Sequence, residues 1–224
     1  AFEALGGIGP MWIRCNIPMA RGLGFSGAAR VGAAALAVVQ QERSITAGAD
    51  EILELTTGLE GHGDNVAASL FGGVTAFVEG RAIRIPVGPT FAAAAFVAWV
   101  PDATTSTDAS RKALGATVDL AAVVHNIGRS VQFVAAIATD DPAMLTGAAA
   151  DRIHQAGRIP EVPGAAEAMA AGMAAGAWAT WLSGSGPTIG FMCASTVAES
   201  VAASMPDGGH TKILAIDTLG CRIS

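Results

Sequence analysis

The chain has 224 residues, and its 13 lysines and arginines against 19 aspartates and glutamates leave a formal net charge of −6. That balance argues against a chain-wide attraction to nucleic-acid backbones or anionic membranes. With 51% apolar and 14% charged residues it is a folding chain, long enough for one large domain or two small ones. Cys15, Cys193 and Cys221 form no close pair, so a reducing, cytoplasmic setting is expected. Residues 1–10 have no basic n-region and no initiator Met, and we read the chain as an N-terminally truncated stretch without a signal peptide.

In chain order, a short strand is expected over 11–16, then a loop of Pro and Gly over 17–25. Ser26 is a good N-cap for an Ala-rich helix over 27–41, and a second helix fits 47–58. Residues 72–79 and 81–86 flank Glu79-Gly80 as a β-hairpin. Val87-Gly88-Pro89 breaks the pattern, which suggests an N-terminal domain over 1–88 and a C-terminal domain over 89–224. An apolar strand follows at 91–100. Helices are expected at 107–113, 117–138, 140–150 and 164–177, strands at 178–183, 187–193 and 211–216, and a helix at 196–204. This is an α+β pattern. Residues 168–198 carry no charge, but the glycines and Pro187 within them predict buried helix, loop and strand instead of a membrane span.

Gly22-Leu23-Gly24-Phe25-Ser26-Gly27 satisfies GxGxxG between a predicted strand and a predicted helix. A dinucleotide-binding oxidoreductase and a plain tight turn are both readings of it. Against the first, Ile17 to Arg21 separates the glycines from the strand end. Under any ligand-binding reading, glycines admit close backbone approach, and the free amides of a helix start favour a phosphate.

Residues Ile17 to Ala29 resemble the Pro-xxx-Gly-Leu-Gly-Ser-Ser-Ala nucleotide loop of the GHMP kinase superfamily. Glu60-Gly61-His62-Gly63-Asp64-Asn65-Val66-Ala67, with Gly72-Gly73, is similar to the Glu-Gly-His-Pro-Asp-Asn-Val-Ala signature of homoserine kinases. Ser106 to Arg111, Asp151 to Gly164 and Leu182 to Thr188 resemble further motifs of that family, in its order. Phe25 stands where the family has the first of two serines, and Gly63 replaces its proline.

The resemblance implies a GHMP kinase fold, with an N-terminal part like ribosomal S5 domain 2 and a ferredoxin-like C-terminal domain. It implies ATP and Mg²⁺ as cofactors and L-homoserine as substrate, with no nucleic acid or membrane partner and with homodimers common. Pro18, Arg21, Gly22, Leu23, Gly24, Ser26, Gly27 and Ala28 would hold ATP, and Ser26 with Glu60 would hold the metal through oxygen. His62, Asp64 and Asn65 would form the homoserine site. Asp64 suits either the ammonium or the attacking hydroxyl, and Asn65 suits orienting that hydroxyl. Arg111 and Arg158 would meet the substrate carboxylate, whose geometry a guanidinium matches. We take Asp64, Asn65 and Arg111 as the catalytic set. The competing readings are another GHMP small-molecule kinase, such as a mevalonate or pantoate kinase, and a GHMP-fold binding protein without turnover.

Overall fold

The computed structural model describes residues 1–102 and 117–223, so the helix expected at 107–113 and the predicted site residue Arg111 lie outside the described residues. The chain divides into two units. Ala1–Met19, Gly24–Pro86 and Asp217–Ser224 make the first, and Ala20–Leu23 with Val87–Ile216 make the second.

In the first unit, α1 (Phe25–Gln40), α2 (Ala49–Glu60) and α3 (Asp64–Phe71) precede an antiparallel hairpin of β1 (Val74–Val78) and β2 (Arg81–Ile85). Alanine gives α1 its propensity. Val31, Ala34, Ala35 and Val38 recur at helical spacing and cluster with Ile52, Leu53, Val66, Ala67 and Leu70. Burial of a side chain such as Ile52, which is wholly buried, contributes about 1.5–3 kcal/mol. The segment from Asp217 closes this unit: Gly73 N–H donates to Asp217 O at 2.6 Å, and Cys221 N–H to Leu70 O at 3.0 Å.

The second unit contains α4 (Pro89–Ala92), β3 (Ala94–Pro101), α5 (Leu120–Ala138), α6 (Gln155–Arg158), α7 (Ala165–Ala174), β4 (Ala179–Leu182), β5 (Ile189–Ala194), α8 (Ala198–Ala203) and β6 (Gly209–Ala215). The strands form one antiparallel sheet in the order β4-β5-β3-β6, which is the split βαβ arrangement of ferredoxin-like folds. Side chains alternate across it. Val97, Trp99, Ile189 and Phe191 meet Ala165, Ala168, Ala198 and Val201 on one face. On the other, Trp181 packs against Phe96 at 5.7 Å and edge-on against Phe133 of α5 at 5.9 Å.

Three expectations need correction. Residues 11–16 pair with no strand among the described residues, and Trp12 is 96% exposed, so nothing rewards an extended conformation there. The helix expected at 140–150 is a single 3₁₀ turn at Pro142–Leu145. Asp141 accepts the Ala143 N–H at 3.0 Å, and Gly147 at φ +72° ends any helical continuation. The strand expected from 91 begins at Ala94, because the Asp140 carboxylate accepts the N–H groups of Thr90 and Phe91, each at 3.1 Å, and holds them in a helical turn.

Candidate active site

In the first unit, α1 starts at Phe25 and its cap is Gly24 at φ +73°, not Ser26 as the sequence suggested. Glycine takes that left-handed conformation without strain. No side chain caps the first turn, whose amides have no partner within the helix, and the helix dipole favours an anion there. The Ser26 hydroxyl instead donates to Glu60 Oε2 at 2.8 Å. Arg30, one turn further along α1, donates to Ser26 Oγ and pairs with Glu60. Glu60 ends α2, where the helix dipole disfavours a carboxylate. Its side chain is only 10% exposed, so the Arg30 guanidinium supplies needed counter-charge. Sequence reasoning missed Arg30, although it is the only charged residue of α1.

The first turn of α3 carries Asp64 and Asn65 of the second cluster, and His62 lies just before the Gly63 cap. His62 Nδ1 lies 2.7 Å from Asp64 Oδ1, which also accepts the Asn65 N–H at 2.8 Å. An ionised carboxylate only accepts, so Nδ1 is the donor. His62 Nε2 faces Glu60 Oε1 at 3.9 Å. Asn65 closes on α1, since a Cβ added to Gly24 would meet Asn65 Oδ1 at 3.0 Å and one added to Gly27 would meet Asn65 Cβ at 3.1 Å. Gly63 is accounted for as well: a side chain there would collide with the Phe77 ring of β1. Ser26, Gly24, Gly27, Glu60, His62, Asp64 and Asn65 are therefore one neighbourhood, with Ala28 following on α1. Ser26 and Asp64 are exposed, whereas Gly27 and Gly63 are buried. Pro18 belongs to the same unit and is half-buried.

A hydroxyl and a carboxylate oxygen 2.8 Å apart suit a magnesium ion, which takes few protein oxygens and completes its shell with phosphates and water. No group of three or more His, Cys, Asp and Glu that could hold a metal occurs among the described residues.

The second unit holds Arg21, Gly22, Leu23 and Arg158. Arg21 donates to the carbonyls of Pro101 at 2.5 Å and Asp102 at 3.3 Å. Gly22, at φ +72°, accepts from Ser183 Oγ at 2.8 Å, and a Cβ on it would collide with the Ser183 carbonyl. The loop from Ser183 to Gly186 therefore lies directly against backbone that only glycine allows. Asp151 organises α6: its carboxylate accepts from Asn126 Nδ2 at 2.7 Å and from the N–H groups of Ile153, His154 and Gln155 at 2.6, 3.0 and 3.1 Å. Burial pushes its pKa up, but these donors outweigh it and hold the carboxyl below its ordinary value. Gln155, which the sequence reading did not single out, links Ala149 O to Leu182 N, each bond at 2.7 Å. Arg158, at the end of α6, is buried, with Nη1 3.5 Å from His154 Nδ1.

The family model for the GHMP kinases N terminal domain matches residues 2–73, and that for the GHMP kinases C terminal matches residues 134–210. Together the two matches span more than half of the chain, which therefore belongs to the GHMP kinases. The homoserine kinase of Moorella thermoacetica is 41% identical over 186 residues, which are 80% of this chain and 60% of that protein. The homoserine kinase of Desulfitobacterium hafniense is 35% identical over 219 residues, 93% of this chain and 72% of that one. The chain belongs to the homoserine kinase family. A crystal structure of homoserine kinase from Cytophaga hutchinsonii shares the fold, with a TM-score of 0.81 at 23% identity, over 92% of this chain and 69% of that one.

Proposed function

We propose that the protein transfers the γ-phosphoryl group of ATP to the side-chain hydroxyl of L-homoserine, a cytoplasmic step of amino-acid biosynthesis toward threonine. The observation that carries this reading is the run of polar contacts in the first unit from Ser26 through Glu60 and His62 to Asp64. It joins a helix start suited to phosphate with a cluster suited to a small amino acid. In the reaction the homoserine hydroxyl oxygen bonds the γ-phosphorus, and the bond to the ADP oxygen breaks. Such transfer depends on in-line placement and cancellation of charge more than on covalent participation.

The α1 amides at Phe25, Ser26 and Gly27 receive phosphate oxygens. Ser26 and Glu60 would hold Mg²⁺, which when bound neutralises charge on the phosphates. Asp64 holds the substrate ammonium, as the exposed carboxylate of the cluster, positioned at Oδ1 by His62 and by the Asn65 amide. Asn65 orients the hydroxyl, and Arg111 and Arg158 take the substrate carboxylate. Homodimers accord with the family.

A coupled ADP-release assay on the full-length protein tests this, with ATP, Mg²⁺ and L-homoserine beside mevalonate, pantoate and no acceptor. ADP release dependent on homoserine alone is the expected result. Release with mevalonate or pantoate instead, or ATP binding without any turnover, overturns the reading.

A further inference from the structure

One buried side chain of the second unit ties an edge strand to the glycine loop. Gln155 on α6 is 7% exposed, and its amide bridges two backbone groups: Nε2 donates to Ala149 O and Oε1 accepts the Leu182 N–H, each at 2.7 Å. Leu182 is the last residue of β4, a four-residue strand at the edge of the sheet. The next residue, Ser183, donates its N–H toward β5, to Thr188 O at 2.8 Å. Successive strand amides point to opposite edges, so the Leu182 N–H faces away from β5. Gln155 stands where a further strand would. Leu182 is 5% exposed, so water has little access to replace that partner.

Beyond Leu182 the chain turns back on itself, with Gly186 N–H donating to Ser183 O at 2.9 Å. Ser183 Oγ donates to Gly22 O at 2.8 Å, and a Cβ on Gly22 would collide with the Ser183 carbonyl. A Cβ on Gly184 would in turn meet Gly22 O at 3.3 Å. Backbone packs on backbone here, so no flexible side chain absorbs a displacement of the turn. Helix α6 does not need the Gln155 side chain for its own placement, because the Asp151 carboxylate holds the amides of Ile153, His154 and Gln155. That side chain is left to serve the turn.

We infer that Gln155 is a positioning residue for nucleotide binding. Through the Leu182 N–H it sets the Ser183–Gly186 turn, and the turn sets Gly22 in the loop that receives the ATP phosphates. The inference rests on the reading of that loop as the ATP site. Of the two Gln155 bonds, the one to Leu182 carries the effect, and the one to Ala149 O only anchors the amide. Nucleotide affinity and fold stability therefore separate in its variants.

The test is calorimetric titration of the full-length protein with ATP and Mg²⁺, and separately with L-homoserine, beside melting temperatures. Gln155→Glu keeps an acceptor for Leu182 but sets a carboxylate oxygen against Ala149 O. It should melt several degrees below wild type while its ATP dissociation constant stays within about twofold. Gln155→Met has similar length and bonds neither group. It should weaken ATP about tenfold and homoserine less than about twofold. Ser183→Ala should also weaken ATP, and combined with Gln155→Met it should cost much less than the product of the two single losses, since both act through one turn. Wild type gives a reading that needs no variant: ATP should slow hydrogen exchange at the Leu182 N–H, because tether and loop order together. Equal ATP affinity in Gln155→Met and wild type, ATP affinity that follows melting temperature across the variants, equal losses for ATP and homoserine, or unchanged exchange at Leu182 overturns the inference. A wild-type protein that binds no ATP overturns the reading of the loop and this inference with it, whereas intact wild-type binding beside an indifferent Gln155→Met overturns this inference alone.

Discussion

Ser26 Oγ in the first turn of α1 donates to Glu60 Oε2 at the last residue of α2 across 2.8 Å. Thirty-four residues of sequence separate them, yet the packing of α1 on α2 brings the hydroxyl and the carboxylate to one point. Arg30 stands beside both as their positive partner.

Glu60→Gln keeps the size of the side chain and the hydrogen bond to Ser26 but removes the charge that would hold a divalent cation. We expect kcat to fall about 10²-fold or more, with an unchanged melting temperature. A magnesium titration of ADP release reads this directly. Turnover near that of wild type at ordinary Mg²⁺ would remove Glu60 from the metal site.

Arg30→Ala leaves a Glu60 side chain that is 10% exposed without its counter-charge. The expected destabilisation is about 1–3 kcal/mol, a drop of several degrees in thermal unfolding. If cation and guanidinium serve the same carboxylate, Mg²⁺ with a nucleotide should raise the melting temperature of Arg30→Ala more than that of wild type. Equal shifts in the two proteins would separate Arg30 from the metal position.

Asp64→Asn preserves shape and removes the carboxylate from α3. With Asp64 as the ammonium-binding group, the homoserine KM should rise about 10- to 100-fold, in line with a charge-assisted hydrogen bond of about 1.5–3 kcal/mol, while the ATP KM barely moves. The pH profile of kcat should keep its shape. A collapse of kcat at unchanged KM would make Asp64 the proton acceptor instead.

Asp151 links fold stability to pH. Burial raises its pKa, hydrogen bonds from Asn126 and from the Ile153, His154 and Gln155 amides lower it further than burial raises it, and the net shift is downward. A folded pKa below the unfolded one gives stability that is complete above about 3.9 and lost as pH falls through the folded value. Asp151→Asn should therefore melt several degrees below wild type at neutral pH, and the gap should close on acidification below about pH 4. Melting curves that stay equally separated down to about pH 3 would place the effect elsewhere.

The strongly patterned parts of the fold were legible in the sequence. The Ala-rich α1, the hairpin around Glu79-Gly80 and the apolar strands β3 and β5 follow from propensity and alternation alone. The expectation for 11–16 failed because a strand depends on a partner, and none of the described pairings reaches those residues. The helix α3 was not expected, because Gly61 and Gly63 punctuate its start and the polar run from His62 to Asn65 hides the buried Val66, Ala67 and Leu70 behind it. Ser26 passed for a cap because cap and second helical residue look alike in sequence. Only the left-handed backbone at Gly24 decides between them. Arg30 and Gln155 act through partners 30 and 27 residues away, distances at which a single sequence gives no signal.

The first unit is not contiguous along the gene: its helices and hairpin end at Pro86, but Asp217 and Cys221 supply the carbonyl and the amide that bond Gly73 and Leu70. On the ribosome, at about 5–20 residues per second, roughly 7 to 26 seconds separate the emergence of those two parts. The part of this unit that is translated earlier is thus completed only when the later part emerges, and a frameshift between Pro86 and Asp217 would strike both units.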